Sequence, residues 1–183
     1  GDSAEAALGT QLNWIGTGGA PLSPKTWREF TDLGVKMLNM YGLTETTAYF
    51  SKDCYNASKP GTIGPGGLVP DTEIKLSEEG ELLIRSPAVM KGYYAEPELT
   101  AKALRGGFFH TGDRAEIDED GYIKIIGRLN RTIVLSSGKK IAPEELEEKL
   151  LQLPGFREVR VTGEGVSTEW LEPVDEKFFN GLK

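Results

Sequence analysis

Three short stretches of this sequence carry side chains able to handle a phosphate, a metal ion or a proton. The first is a glycine turn, Gly16-Thr17-Gly18-Gly19-Ala20-Pro21, which can continue neither a helix nor a strand. The second, Tyr41-Gly42-Leu43-Thr44-Glu45, gathers an aromatic ring, a hydroxyl and a carboxylate. The third, His110-Thr111-Gly112-Asp113, sets the sole histidine close to an aspartate. Gly127-Arg128 and Ser137-Gly138-Lys139 add cations that follow glycines. Generic nucleotide motifs do not account for these stretches. A Walker A loop ending at Lys139 needs glycine where Ile133 stands. Gly16-Thr17-Gly18 lacks the third glycine of a dinucleotide fingerprint, because Pro21 occupies that place. Asp118-Glu119-Asp120-Gly121 hints at a calcium loop but lacks its further ligands, and reads better as a hairpin turn.

Each stretch also has a plainer reading when taken alone. The glycines make a tight turn, Tyr41 ends a strand in the core, and Thr44-Glu45 caps a helix with a first-turn acid. Asp113 is then a turn aspartate and His110 a packing histidine. Cys54 is the only cysteine, so an internal disulfide is excluded and a Cys/His zinc set is short of ligands. A Cys54–His110 catalytic pair stays open against the commoner role of a lone cysteine as a small core residue.

The elements that must position these residues follow from the apolar pattern. Leu12 to Gly16 reads as a short strand entering the glycine turn. Ser23 and Pro24 open a helix carrying Trp27, Phe30 and Leu33 on one face, which Gly34 ends. Val35 to Met40 fits a buried strand that delivers the chain to Tyr41. Strand, loop, helix, strand and loop make an α/β rhythm, in which ligands bind at strand ends. After a Gly/Pro-rich loop from Pro60 to Pro70, strands are expected at Glu73–Leu76 and Glu81–Arg85 around the turn Ser77–Gly80. A brief helix from Pro97 to Leu104 precedes a second hairpin, Arg114–Asp118 with Tyr122–Ile126. Short strands at this pitch suggest a small β-barrel or curled sheet. Thr132–Leu135 reads as a strand, and Pro143 opens a helix with Glu144 and Glu145 in its first turn, where the dipole favours anions. Leu146, Leu150 and Leu153 give that helix an apolar face. Val159 and Val161 begin one more strand, and from Gly163 onward no period is evident.

Composition bounds the rest. The chain has 183 residues with 38% hydrophobic and 27% charged side chains, a balance suited to a folded rather than a disordered chain. Its net charge of −7 argues against nucleic-acid binding, which asks for a basic face. A nucleotide site remains compatible, since a few backbone N–H groups and one cation can hold a phosphate. No apolar run approaches the length of a membrane span and no export signal opens the sequence, so a cytoplasmic setting, free or peripheral at a membrane, is the expectation.

Gly18-Gly19-Ala20-Pro21, Tyr41-Gly42-Leu43-Thr44-Glu45, His110-Thr111-Gly112-Asp113 and Gly127-Arg128 stand in this order on one chain, followed by the Ser-Gly-Lys loop and Pro143-Glu144-Glu145. In that joint pattern the sequence resembles the adenylate-forming superfamily of acyl-CoA synthetases, peptide-synthetase adenylation domains and luciferases. The resemblance runs from about Leu12 to Val161, and Ile133 to Lys139 is most similar to the long-chain acyl-CoA synthetases. It implies an α/β (α+β) fold. Residues 1–127 would be the C-terminal part of a large AMP-binding domain, with an α/β part over 1–58 and a β-barrel-like part over 59–127. Residues 128–183 would be the hinge and part of a small C-terminal α+β domain.

The implied chemistry is activation of a carboxylic acid, a fatty acid by preference, through acyl-AMP to an acyl-CoA thioester. ATP/AMP, Mg2+ and coenzyme A are the cofactors and co-substrates. Gly18, Gly19, Ala20 and Pro21 would let the adenine lie on the backbone, with Tyr41 and Gly42 closing its other side. Thr44 would bond phosphate oxygens and Glu45 would hold the Mg2+ that bridges them. Asp113 and Arg128 would take the ribose. Arg131 occupies the hinge position, where the family usually carries Asp, Glu or Lys. Ser137, Gly138 and Lys139 would line the thiol tunnel. The resemblance also implies a phosphate loop ahead of the glycine turn and a lysine near the C-terminus. Neither is found in this sequence, so a fragment of a longer synthetase, inactive by itself, is expected. A carrier-protein-loading adenylation domain and a non-catalytic interaction module remain as alternatives.

Overall fold

The chain is described from a computed structural model covering residues 9, 11–52, 56–67, 69–135, 140–153, 155–163 and 165–170. It divides into two compact units, Gly1–Ile125 and Ile126–Lys183.

The first unit begins with a β–α–β segment. β1 (Trp14–Gly18) and β2 (Lys36–Leu43) pair in parallel, with Gly16 opposite Leu38 and Gly18 opposite Met40. A parallel pair needs a crossover. Here it is α1 (Pro24–Asp32), whose first turn is closed by the Ser23 hydroxyl accepting from Thr26 N at 3.0 Å. Gly34 follows with φ +82°, a conformation that favours glycine. β2 runs three residues beyond the expected end, so Tyr41 and Gly42 belong to a strand and not to a loop. Their partner is β3 (Ala48–Lys52), antiparallel to β2 with Tyr41 opposite Ser51. Between the two strands Thr44–Thr46 form a single 3-10 turn.

A second sheet has the order β4 (Glu73–Leu76), β5 (Glu81–Arg85), β6 (Phe109–Ile117), β7 (Ile123–Arg128). The Ser77–Gly80 and Asp118–Gly121 turns fall where the sequence suggests. α2 (Pro97–Ala103) stands between β5 and β6. β6 starts earlier than expected, so His110 to Asp113 lie inside a strand. The core of this unit is Ile63, Leu82, Ile84, Ala115 and Ile123, each at most 5% exposed. The loop after β3 stitches the two sheets together. Asn39 Nδ2 donates to Thr62 O at 3.0 Å, the fully buried Ser51 hydroxyl donates to Ile63 O at 2.6 Å, and Ile63 N donates to Ile123 O at 2.8 Å.

The second unit holds the short pair β8 (Ile133–Val134) and β9 (Lys140–Ile141), then α3 (Pro143–Leu151) and a hairpin of β10 (Phe156–Thr162) with β11 (Gly165–Trp170). β11 is a strand where no period was evident, because its order comes from pairing with β10. The face of α3 also differs from expectation. Leu146 is exposed, whereas Glu144 and Glu147 are partly buried. An arginine explains the exchange, as described below.

Candidate functional site

Three of the four motif stretches meet in the first unit. Parallel pairing brings Gly18 beside Met40, so the glycine turn leaves β1 next to the point where Tyr41 continues β2. Gly19 is left-handed with φ +83°, and Gly18, Gly19, Ala20 and Pro21 are all exposed. Tyr41 packs its ring against the Ile63–Leu82–Ile84 cluster and donates its hydroxyl to Asp113 Oδ2. The core-tyrosine reading therefore holds, and the hydroxyl at the same time joins two of the motif stretches. Asp113 is 5% exposed, so this carboxylate leaves water for a built polar setting.

The approach of Asp113 depends on a bulge. Glu81 pairs with Arg114 and Leu83 with His110, so β6 spends two extra residues against β5. Gly112 takes φ +72° within it. Thr111 Oγ1 donates to Leu82 O at 2.8 Å and accepts from Asp113 N at 3.0 Å. Glu81 accepts from Gly112 N at 2.9 Å and lies 2.8 Å from His110 Nδ1. A carboxylate accepts, so Nδ1 is the nitrogen that carries the proton. His110 is thus held by an acid. Cys54, the other member of the conceivable catalytic pair, lies outside the described residues.

The turn after Tyr41 is fixed by a residue that the motif reading passes over. Thr46 is 1% exposed; its hydroxyl accepts from Leu43 N and donates to Leu43 O, both at 3.0 Å. Thr47 turns left-handed at φ 56° and donates to Ala88 O at 2.8 Å. Met90 N donates to Glu45 O at 2.8 Å. These bonds present Thr44 to solvent and set Glu45 half-buried beside it. Glu45 Oε1 accepts from the Tyr93 hydroxyl at 2.8 Å. Among the described residues no cluster of three or more His, Cys, Asp or Glu could hold a metal. A lone carboxylate does fit Mg2+, which keeps waters and takes one or two carboxylates together with phosphate oxygens.

The Tyr93–Glu45 bond has a titration signature. The hydrogen bond to Glu45, then partial burial, then the Glu45 charge raise the Tyr93 phenol above its usual 10.0. The neutral phenol is the form favoured by folding. Its contribution is full below pH 10 and declines as pH rises through the elevated folded value. In ultraviolet difference titration of the chain against Tyr93→Phe, the missing component should ionise above pH 10, and Glu45→Gln should return it toward 10. A Tyr93 component at or below 10 in the unsubstituted chain would contradict the bond.

Arg128 and Arg131 belong to the second unit. Arg131 forks onto α3, with Nη1 donating to Glu144 Oε1 at 2.9 Å and Nη2 to Glu147 Oε1 at 2.6 Å. Glu147 Oε1 also accepts from Val161 N at 2.8 Å, so one acid ties the Leu129–Arg131 turn, the helix and β10. The Glu147 hydrogen bond leads in raising the Arg131 guanidinium above its ordinary value. Glu144 packs on Gly127, where an added Cβ would sit 2.3 Å from Glu144 Oε2. Glu144 and Glu147 are three apart, one helical turn, which suits a two-pronged cation. Ser137, Gly138 and Lys139 lie outside the described residues.

Fold and site together define the class: this is the architecture of the adenylate-forming enzymes. O-succinylbenzoate coenzyme A synthetase (MenE) from Bacillus subtilis, solved in complex with AMP, superposes with a TM-score of 0.80 and 26% identity, over 90% of this chain and 37% of that one. Residues 2–94 match the family described as AMP-binding enzyme, and the chain belongs to that family. Long-chain-fatty-acid–CoA ligase FadD15 of Mycobacterium bovis is 34% identical over 179 residues, 97% of this chain and 30% of the relative. A feruloyl-CoA synthase of Amycolatopsis is 34% identical over 164 residues, 84% of this chain and 33% of the relative. The chain thus spans about a third of the length of these curated relatives. No helix among the described residues is long and apolar enough to cross a membrane.

Proposed function

We propose that this chain supplies the adenosine and phosphate contacts of an AMP-forming acid–thiol ligase that makes an acyl-CoA. The observation that carries the reading is the meeting of the glycine turn, the Tyr41–Glu45 segment and Asp113 in one unit, through the Gly18–Met40 register and the Tyr41–Asp113 bond. In this reading Gly18 to Pro21 form one wall for the adenine, and Tyr41 with Gly42 the other. Asp113 accepts from the ribose hydroxyls, and Arg128 is assigned to the nucleotide by the sequence pattern. Thr44, exposed and aimed by the Thr46 turn, donates to phosphate oxygens. Glu45 would hold Mg2+, whose charge would offset the repulsion between this carboxylate and the phosphates. The ion would supply positive charge where the incoming carboxylate and the α-phosphate crowd two anions together.

The acid is taken to be a fatty acid, on the likeness to the mycobacterial ligase. The feruloyl relative keeps an aromatic acid as the competing substrate class. Residues 1–127 would then belong to the large domain and 128–183 to the hinge and small domain, with Arg131 at the pivot. Ser137, Gly138 and Lys139 are assigned to the coenzyme A path.

The test is calorimetric binding of a non-hydrolysable acyl-AMP analogue to the chain, with AMP and GMP as competitors. Saturable binding displaced by AMP, and at least about tenfold less well by GMP, is expected. Absence of saturable binding, or equal displacement by both nucleotides, overturns the reading.

A further inference from the structure

The side chain with the most unexplained structure around it is Glu81. It is 5% exposed at the start of β5, a place where a hairpin acid normally points to water. A carboxylate withdrawn from solvent needs charge-assisted partners to offset the loss of hydration. Glu81 has them, and two lie on one short stretch of β6. Oε1 accepts from Gly112 N at 2.9 Å and Oε2 faces His110 Nδ1 at 2.8 Å. Arg105 Nη2 lies 3.7 Å from Oε2 and adds a cation from outside.

The bulge explains why an acid is needed there. Between the Leu83–His110 and Glu81–Arg114 pairs, β6 advances four residues while β5 advances two. Gly112 N therefore has no ladder carbonyl opposite it, and Glu81 Oε1 takes that place. The two oxygens of one side chain grip residues 110 and 112, the near side of the turn that carries Asp113. Thr111 completes the turn by bonding Leu82 O and Asp113 N. Asp113 then meets Tyr41.

We propose that Glu81 is a positioning residue for Asp113: its carboxylate holds the His110–Gly112 bulge in the form that delivers Asp113 to the ribose hydroxyls of the nucleotide. The proposal rests on the adenosine-site reading above. Glu81 touches no nucleotide in this account, and its effect passes through the backbone of Gly112.

The experiment measures AMP and 2′,3′-dideoxy-AMP affinity for the chain, for Glu81→Ala and for Glu81→Asp. The aspartate keeps charge and burial but is shorter by one methylene, so it covers the case in which the alanine variant does not fold. The unsubstituted chain should prefer AMP over the dideoxy nucleotide by at least about tenfold, the worth of a charge-assisted bond or more. Both variants should lose most of that preference while still binding the dideoxy nucleotide. Gly112 amide exchange should also become faster in both. A general loosening of the fold would weaken both nucleotides alike and leave the ratio intact, which counts against the proposal. If the unsubstituted chain shows the preference and the variants keep it, Glu81 is not the positioning group and the nucleotide site stands. If the unsubstituted chain shows no preference, the ribose role of Asp113 falls, and this proposal falls with it.

Discussion

Ile84→Ala should lower the unfolding free energy of the first unit by about 2–5 kcal/mol, read as a shift of the urea midpoint. Ile84 is fully buried, opposite Ile74 on β4 and Phe109 on β6, and belongs to the cluster of Ile63, Leu82, Ala115 and Ile123. The side chains around it are fixed by two ladders, so they have little freedom to close over the space left behind. The cost is then transfer energy plus cavity, toward the upper part of the range. Ile84→Val removes one methylene and should cost about 0.5–1.5 kcal/mol. Val134→Ala, at a site 62% exposed, should stay within about 0.5 kcal/mol. A loss below about 1 kcal/mol for Ile84→Ala would mean that the sheet is not packed as described. The consequence reaches the site, because Tyr41 leans on this same cluster while bonding Asp113.

The features legible in the sequence are those set by neighbours along the chain. Ser23 and Pro24 announce α1 because a cap and an N1 proline act within one turn. The Ser77–Gly80 and Asp118–Gly121 turns are legible for the same reason, as is the alternation in the strands they join. Long-range partners leave weaker marks. Gly42 looks like a breaker, yet β3 extends β2 through it. Gly112 looks like a turn, yet it is a left-handed bulge inside β6. Glu81 reads as an ordinary hairpin acid, since nothing near it in sequence names His110 or Gly112 as partners. Glu144 suits the helix dipole and also binds Arg131, and only the second role turns it inward. The motif residues themselves were recognisable as a joint pattern. Their supports Thr46, Tyr93 and Glu81 were not, because each acts through a bond whose other end lies in a different element or closes a turn by its side chain.

Asp113→Ala should weaken AMP binding by about ten- to a hundredfold, because a hydrogen bond to a charged group is worth about 1.5–3 kcal/mol. The loss should be specific to the sugar, so 2′,3′-dideoxy-AMP should bind both proteins with similar affinity. The substitution also removes the acceptor of the Tyr41 hydroxyl, and that second effect must be separated from the first. Tyr41→Phe supplies the control: it deletes the hydroxyl, keeps the ring against the core and leaves the carboxylate in place. If Asp113 acts on the ribose directly, Tyr41→Phe should cost much less than Asp113→Ala, and the double variant should resemble Asp113→Ala alone. If instead Asp113 only orients Tyr41, the two single variants should match each other for AMP and for the dideoxy nucleotide alike. Asp113→Asn keeps an acceptor oxygen without the charge and should fall between the unsubstituted chain and alanine. Equal AMP affinity in the unsubstituted chain and in Asp113→Ala would remove Asp113 from the site. The glycine turn and Thr44–Glu45 would then have to account for nucleotide recognition without any contact to the sugar.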